Sequence, residues 1–180
     1  MLDQLLALIR GDDLPAMLGR PDLWDSLVID RRKPVTLRAF ATLGGGCRVC
    51  LHRFHPCASD EAFFHPHPWP GAFFVLDGAY RMRTGLSPDL HADAEPLYES
   101  VYAAGSGYEI THPRLWHAIM PVGDGLVHTV MLNGPVWPPD QRHARTVTTQ
   151  GKDLKQIDPA DLPGFLAAFA GLVARHRGAA

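Results

Sequence analysis

Phe73-Phe74-Val75-Leu76-Asp77-Gly78-Ala79-Tyr80-Arg81-Met82-Arg83 is the stretch on which the fold reading turns. Its first arm is a continuous apolar run. Its second alternates, with Tyr80 and Met82 on one side and Arg81 and Arg83 on the other. Period-two alternation marks a strand with one buried face. Asp-Gly between two such runs signals a tight hairpin, because the central positions of that turn need positive φ. The stretch therefore predicts a β-hairpin with Tyr80 and Met82 facing in. Working outward, glycine turn signals recur at Gly44-Gly45-Gly46, Thr84-Gly85, Gly105-Ser106-Gly107 and Gly123-Asp124-Gly125. Short runs punctuated in this way predict an antiparallel all-β sandwich or barrel over residues 34–135. Gly134-Pro135-Val136-Trp137-Pro138-Pro139 closes that region.

The two ends of the chain read as helix. Leu2, Leu5, Leu6 and Ile9 fall at helical spacing, and a second short helical pattern runs from Asp22 to Leu27 behind Pro21. Residues 1–33 are thus expected to be a helical segment packed on the barrel. Residues 136–180 are expected to be an extension carrying an amphipathic helix from Asp158 to His176. Its apolar stripe is Leu162, Phe165, Leu166, Phe169, Leu172 and Val173. The whole reads as one domain: 180 residues, 46% hydrophobic and 20% charged, can bury a sizeable core.

Charge and cysteine content narrow the function classes. Seventeen Lys and Arg against nineteen Asp and Glu leave a net charge of -2, with no basic run to track phosphates, so nucleic acid is not an expected partner. The opening Met1–Arg10 carries Asp3 and Arg10, is too short to span a bilayer and precedes no cleavage pattern, so no membrane partner is expected either. Three cysteines cannot form a closed disulfide framework and point to a reducing, cytoplasmic setting. Cys47, Cys50 and Cys57 with His52 and His55 could be written as a zinc knuckle. A strand over 48–54 puts Cys47 and Cys50 on opposite faces, which is poor geometry for shared ligation.

Histidine is the informative residue: there are ten, concentrated in the middle of the chain. His65-Pro66-His67 places two imidazoles on the same face of an extended segment, close enough to share a metal ion. Downstream, Gly107-Tyr108-Glu109-Ile110-Thr111-His112-Pro113-Arg114-Leu115-Trp116-His117 supplies a glycine-initiated strand, a proline turn and a third histidine.

With these two segments the chain resembles the cupin superfamily over roughly residues 45 to 135. His65, His67 and Gly78 match the family's first motif, and Gly107, Pro113 and His117 its second. The resemblance implies an antiparallel β-barrel, or jelly roll, with flanking helices and a divalent metal on His65, His67 and His117. Two positions depart from the pattern. The usual glutamate ligand would fall at Gly71 or Ala72, and the glycine of Pro-x-Gly is replaced around Arg114-Leu115. The site is thus similar to the three-histidine arrangement of thiol dioxygenases.

Three neutral imidazoles leave a divalent ion its full charge and two or three open positions for an anionic substrate and for water or dioxygen. The leading expectation is an Fe(II)-dependent dioxygenase-type oxidoreductase acting on a small polar metabolite. Zn2+, Ni2+ and Cu2+ suit imidazole as well. A zinc-dependent isomerase, lyase or hydrolase and a non-catalytic small-molecule-binding cupin are the alternatives. Around the ligands, Tyr80 is a candidate for proton transfer and Arg53 for pairing with a substrate carboxylate or phosphate. His52, Trp69, Met82 and His112 are candidate pocket residues. His128, among Val127, Thr129 and Val130, reads as structural. Barrels of this kind often pair through an edge strand, so a homodimer is also expected.

Overall fold

A computed structural model describes residues 1–87, 89, 95–142 and 154–177. Ten strands make two antiparallel sheets. The six-stranded sheet runs β1 (Asp25–Ile29), β2 (Thr36–Gly44), β3 (Cys47–Phe54), β10 (Val127–Asn133), β5 (Gly71–Asp77), β8 (Gly107–Ile110). The four-stranded sheet runs β4 (His65–Pro66), β9 (Leu115–Pro121), β6 (Ala79–Leu86), β7 (Tyr98–Ala103).

Side-chain alternation sorts the larger sheet into two faces. Cys50, Phe54, Phe73, Val75, Val127 and Met131 point toward the smaller sheet and pack with Tyr80, Met82 and Ile119 into an inter-sheet core. Val49, Leu51, Ala72, Phe74, Leu76, Val130 and Leu132 point the other way. There they meet three helices, α1 (Leu2–Arg10), α2 (Asp13–Leu18) and α3 (Leu162–Arg177). β5 is apolar along its whole length because it is covered on both faces.

That continuous burial explains where the structure departs from the expected hairpin. β5 and β6 are not paired: β5 lies between β10 and β8, whereas β6 lies between β9 and β7 in the other sheet. Asp77-Gly78 is a corner between sheets. Gly78 has φ +78, and a Cβ there would lie 2.7 Å from the carbonyl oxygen of Leu126, so only glycine makes this crossing. The alternation itself holds, with Tyr80 and Met82 buried and Arg81 and Arg83 turned outward to Glu99 at 3.2 and 3.1 Å.

The N-terminal segment is corrected as well. Asp22–Leu27 is not helical: Pro21–Leu23 forms one 3-10 turn and Asp25–Ile29 is edge strand β1. Ser26 and Trp24 are its inward anchors, the Trp24 indole donating to the Met17 carbonyl at 2.9 Å. The second helix lies earlier, at Asp13–Leu18. The C-terminal helix starts at Leu162, since Asp158–Asp161 is a turn, and buries Phe165, Leu166, Phe169, Leu172 and Val173 as expected.

Candidate metal centre

The proline-flanked His65-Pro66-His67 segment is extended and pairs with β9, so that His65 lies opposite His117. His67 follows one pleat on, and the three imidazoles converge with one ligand atom each within 4.8 Å of the others. His67 and His117 are buried and His65 is half-buried. His67 Nε2 and His117 Nε2 are 2.7 Å apart. Two of the other ring nitrogens are anchored. His65 Nδ1–H donates to the Phe63 carbonyl at 3.0 Å, and His117 Nδ1 faces the Met82 sulfur at 3.3 Å. A ring held at Nδ1 presents Nε2 as the free lone pair, which is how outer partners fix the tautomer of a ligating histidine.

Burial keeps all three rings neutral. It drives His65 down to about 4 and His67 and His117 well below the ordinary imidazole value, with neighbouring cations and the mutual repulsion of the rings adding to the effect. Neutral, converging, dehydrated imidazoles are the donor set that a divalent transition metal takes. Among the described residues this is the one group of three His, Cys, Asp or Glu side chains so placed. The cysteines are free, with no zinc knuckle among them, and Cys50 lies within the inter-sheet core. The position of the missing carboxylate is filled. A side chain at Gly71 would meet Phe73 Cε2 at 3.1 Å and Trp69 Cζ3 at 3.5 Å, so aromatic rings occupy that space.

The other candidates divide. Trp69 and Met82 line the trio: the Trp69 ring centroid is 4.3 Å from that of His67. His52 is buried on the inward face of β3, with Nδ1 3.3 Å from the Thr129 hydroxyl. Tyr80 is fully buried, but its hydroxyl donates to Tyr108 at 2.9 Å, and desolvation raises it well above the usual phenol range. Its place is in a packed cluster with Tyr102 and Tyr108. His112 is exposed in the turn before β9, where Nδ1 accepts the Arg114 amide at 3.2 Å, away from the trio.

Arg53 is not brought to the site. It lies on the helix side of β3, its Nε donating to His128 Nε2 at 3.2 Å and its guanidinium 4.8 Å from the Phe165 ring. The inward arginine is Arg38 of β2, paired across the strands with His52. In sequence Arg38 stands within Thr36-Leu37-Arg38-Ala39-Phe40-Ala41, a mostly apolar run whose alternation does not say which face is inward.

No protein family model and no curated protein sequence matches the chain. Solved structures do. Hydroxypropylphosphonic acid epoxidase from S. wedmorenis aligns at 18% identity with a TM-score of 0.50, covering 63% of this chain and 56% of that one. FeII HppE aligns at 20% identity with a TM-score of 0.51, covering 63% and 57%. FeII HppE in complex with substrate aligns at 18% and 0.50, with the same coverage. The chain therefore spans a little over half the length of these structures, and the likeness is one of fold. No helix among the described residues is long and apolar enough to cross a membrane.

Proposed function

We propose that the chain is a metal-dependent enzyme of the cupin type, an Fe(II)-dependent oxygenase acting on a small polar metabolite, with His65, His67 and His117 as the metal ligands. The observation that carries this reading is the convergence of three neutral imidazoles, two buried and one half-buried, from the β4 segment and β9 onto one point. The two-sheet architecture, and its likeness to Fe(II) forms of HppE, supports both the jelly-roll reading and iron.

A divalent ion at this point supplies Lewis acidity and, where it is iron, one-electron chemistry with dioxygen. The chain's own residues set the conditions for that chemistry. Phe63 and Met82 hold the rings of His65 and His117 in one tautomer. Trp69 and Phe73 wall the trio and keep bulk water out. Three ligands, with no carboxylate beside them, leave further coordination positions and positive charge available to substrate.

The deciding experiment is elemental analysis of protein purified without oxygen, followed by oxygen-electrode measurements with small polar metabolites. Iron near one per chain with oxygen uptake supports the reading. Tight stoichiometric zinc without uptake favours hydroxide chemistry on the same three ligands. Absence of stoichiometric metal overturns both.

A further inference from the structure

Three buried polar atoms on the inward faces of the two sheets have no hydrogen-bond partner among the described residues: Arg38 Nε, His52 Nε2 and Thr84 Oγ1. Natural interiors satisfy such groups almost without exception, so a set of them in one region calls for an explanation. Their placement follows from register. Leu37, Ala39 and Ala41 of β2 enter the helix-side core, while Phe40 packs on the inter-sheet core, so Arg38 points between the sheets. Its cross-strand neighbour is His52. On the opposite sheet, Thr84 is the cross-strand neighbour of His117. The positive charge of Arg38 also disfavours protonation of His52, His65 and His67, two of which belong to the trio.

No carboxylate among the described residues forms an ion pair with Arg38. Arg38 is half-buried with its Nε fully enclosed, and a guanidinium drawn in this way without its counter-charge is destabilising, since an arginine cannot escape by losing its proton. Its planar fork matches two oxygens of one carboxylate or phosphoryl group. When the Thr129 hydroxyl donates to His52 Nδ1, the proton of His52 sits on Nε2 and adds a second donor beside the fork.

Charged side chains also cluster on the surface beside Phe63. Arg32 lies 3.9 Å above the Phe63 ring, and Phe63 stacks on His65 at 5.3 Å. A surface depression of about 260 Å³ beside them is lined by Arg31, Arg32 and Lys33 against Asp30 and Glu61, three cations to two carboxylates.

We infer that this site takes a small organic acid whose oxyanion, a carboxylate or phosphoryl group, is held by Arg38 and His52 from the sheet facing the three histidines. The inference rests on the proposed metal centre for the location of the reacting end. The anion seat itself is a property of Arg38 and is tested separately.

The test compares wild type, Arg38→Gln and Arg38→Lys by calorimetric titration, each as metal-free protein and after loading with Co(II), whose absorption reports the histidine site. The probes are lactate, its neutral isostere lactamide, and inorganic phosphate. In the Co(II) protein, Arg38→Gln is expected to weaken lactate binding about tenfold or more, as befits a lost charge-assisted hydrogen bond. Lactamide binding and the ligand-free cobalt spectrum should not change. The melting temperature should stay level or rise, whereas loss of a merely structural arginine would lower it. Equal lactate affinity in wild type and Arg38→Gln, or no preference of wild type for lactate over lactamide, overturns the inference. Should wild type fail to take up Co(II), the metal reading falls, and phosphate binding to metal-free protein decides the anion seat. Loss in Arg38→Gln supports the seat, and equal or absent binding in both proteins overturns it. If Arg38→Gln does not fold, Arg38→Lys replaces it: a severalfold loss of anion affinity supports the seat, and wild-type affinity overturns it.

Discussion

His67 Nε2 lies 2.7 Å from His117 Nε2, although fifty residues separate the two in sequence. The pairing of β4 with β9 creates that contact, and one extended segment could not have done so alone. In the proposed metal centre His65 and His67 would supply one edge of the coordination sphere, and His117 of β9 would close it.

Metal content should therefore divide the histidines into two groups. His65→Ala, His67→Ala and His117→Ala each remove a third of the protein ligands and are expected to lose most of the bound metal. His52→Ala, His55→Ala, His112→Ala and His128→Ala should retain it, with affinity lowered by at most about a hundredfold where an outer partner is lost. Metal per chain in the seven folded variants is the measurement. Full retention in His117→Ala, or loss confined to His52 and His55 variants, would contradict the site as drawn.

Acid should destabilise the metal-free protein through the same residues. In the folded chain burial pushes His65 to about 4 and His67 and His117 well below 6.5, the value each has when unfolded. Between those values the unfolded state binds more protons, so stability rises with pH. The contribution is complete above about pH 6.5 and is lost as the pH falls toward about 4. Urea midpoints of metal-free protein should decline steadily over that window. A flat profile would show that the rings are not buried in the neutral form.

Arg53 should prove a matter of stability alone. Its fork ties β3 to His128 and to Phe165 of α3, so Arg53→Ala is expected to cost about 1 kcal/mol. That corresponds to a melting temperature lower by roughly 2–4 °C. Metal content and anion affinity should match wild type, and a fall in either would return Arg53 to the site.

Thiol labelling reads the core directly. Burial pushes the Cys50 thiol up to about 11, and its sulfur donates to Asn133 Oδ1 at 3.6 Å, so it carries almost no thiolate at neutral pH. Cys47 and Cys57 are partly exposed. Native protein should react with Ellman's reagent at Cys47 and Cys57 only, and Cys50 should appear after unfolding. Rapid labelling of Cys50 in native protein would mean that the inter-sheet core is open.

Gly78→Ala tests the corner between the sheets. The positive φ and the 2.7 Å approach to Leu126 both oppose a side chain, and a loss of about 1–3 kcal/mol is expected. An unchanged denaturation midpoint would mean that the corner relaxes.

The β-rich middle of the chain, α1, α3 and the inward face of β6 were legible because each follows a local periodicity. Three things were not. Asp22–Leu27 reads as helix but forms a 3-10 turn and edge strand β1, because its pairing with β2 overrides so short a helical pattern. The hairpin at Asp77-Gly78 misled because a glycine with positive φ serves a turn within a sheet and a crossing between sheets equally well. Only the partners of β5 and β6, distant in sequence, distinguish the two. Within the site, His65, His67 and His117 could be read from spacing and resemblance. Arg38 could not be placed, since alternation says that Thr36, Arg38 and Phe40 share a face without saying which face is inward. Arg53 is a candidate from sequence because neither face of Cys47–Phe54 is plainly polar.

Neighbouring residues His52 and Arg53 serve opposite sides of one strand, the first on the inter-sheet face and the second beneath α3. β3 is thus a partition wall whose two surfaces carry different work. Its phase relative to β2 and β10 matters as much as its composition, because a slip of one residue would exchange the surfaces, setting a second guanidinium among the imidazoles and an unpaired imidazole under the helix. Length changes within Cys47–Phe54 are therefore forbidden to this fold in a way that side-chain changes are not, while the Gly44-Gly45-Gly46 turn just before it, which contributes nothing to either surface, is where the chain can absorb an insertion.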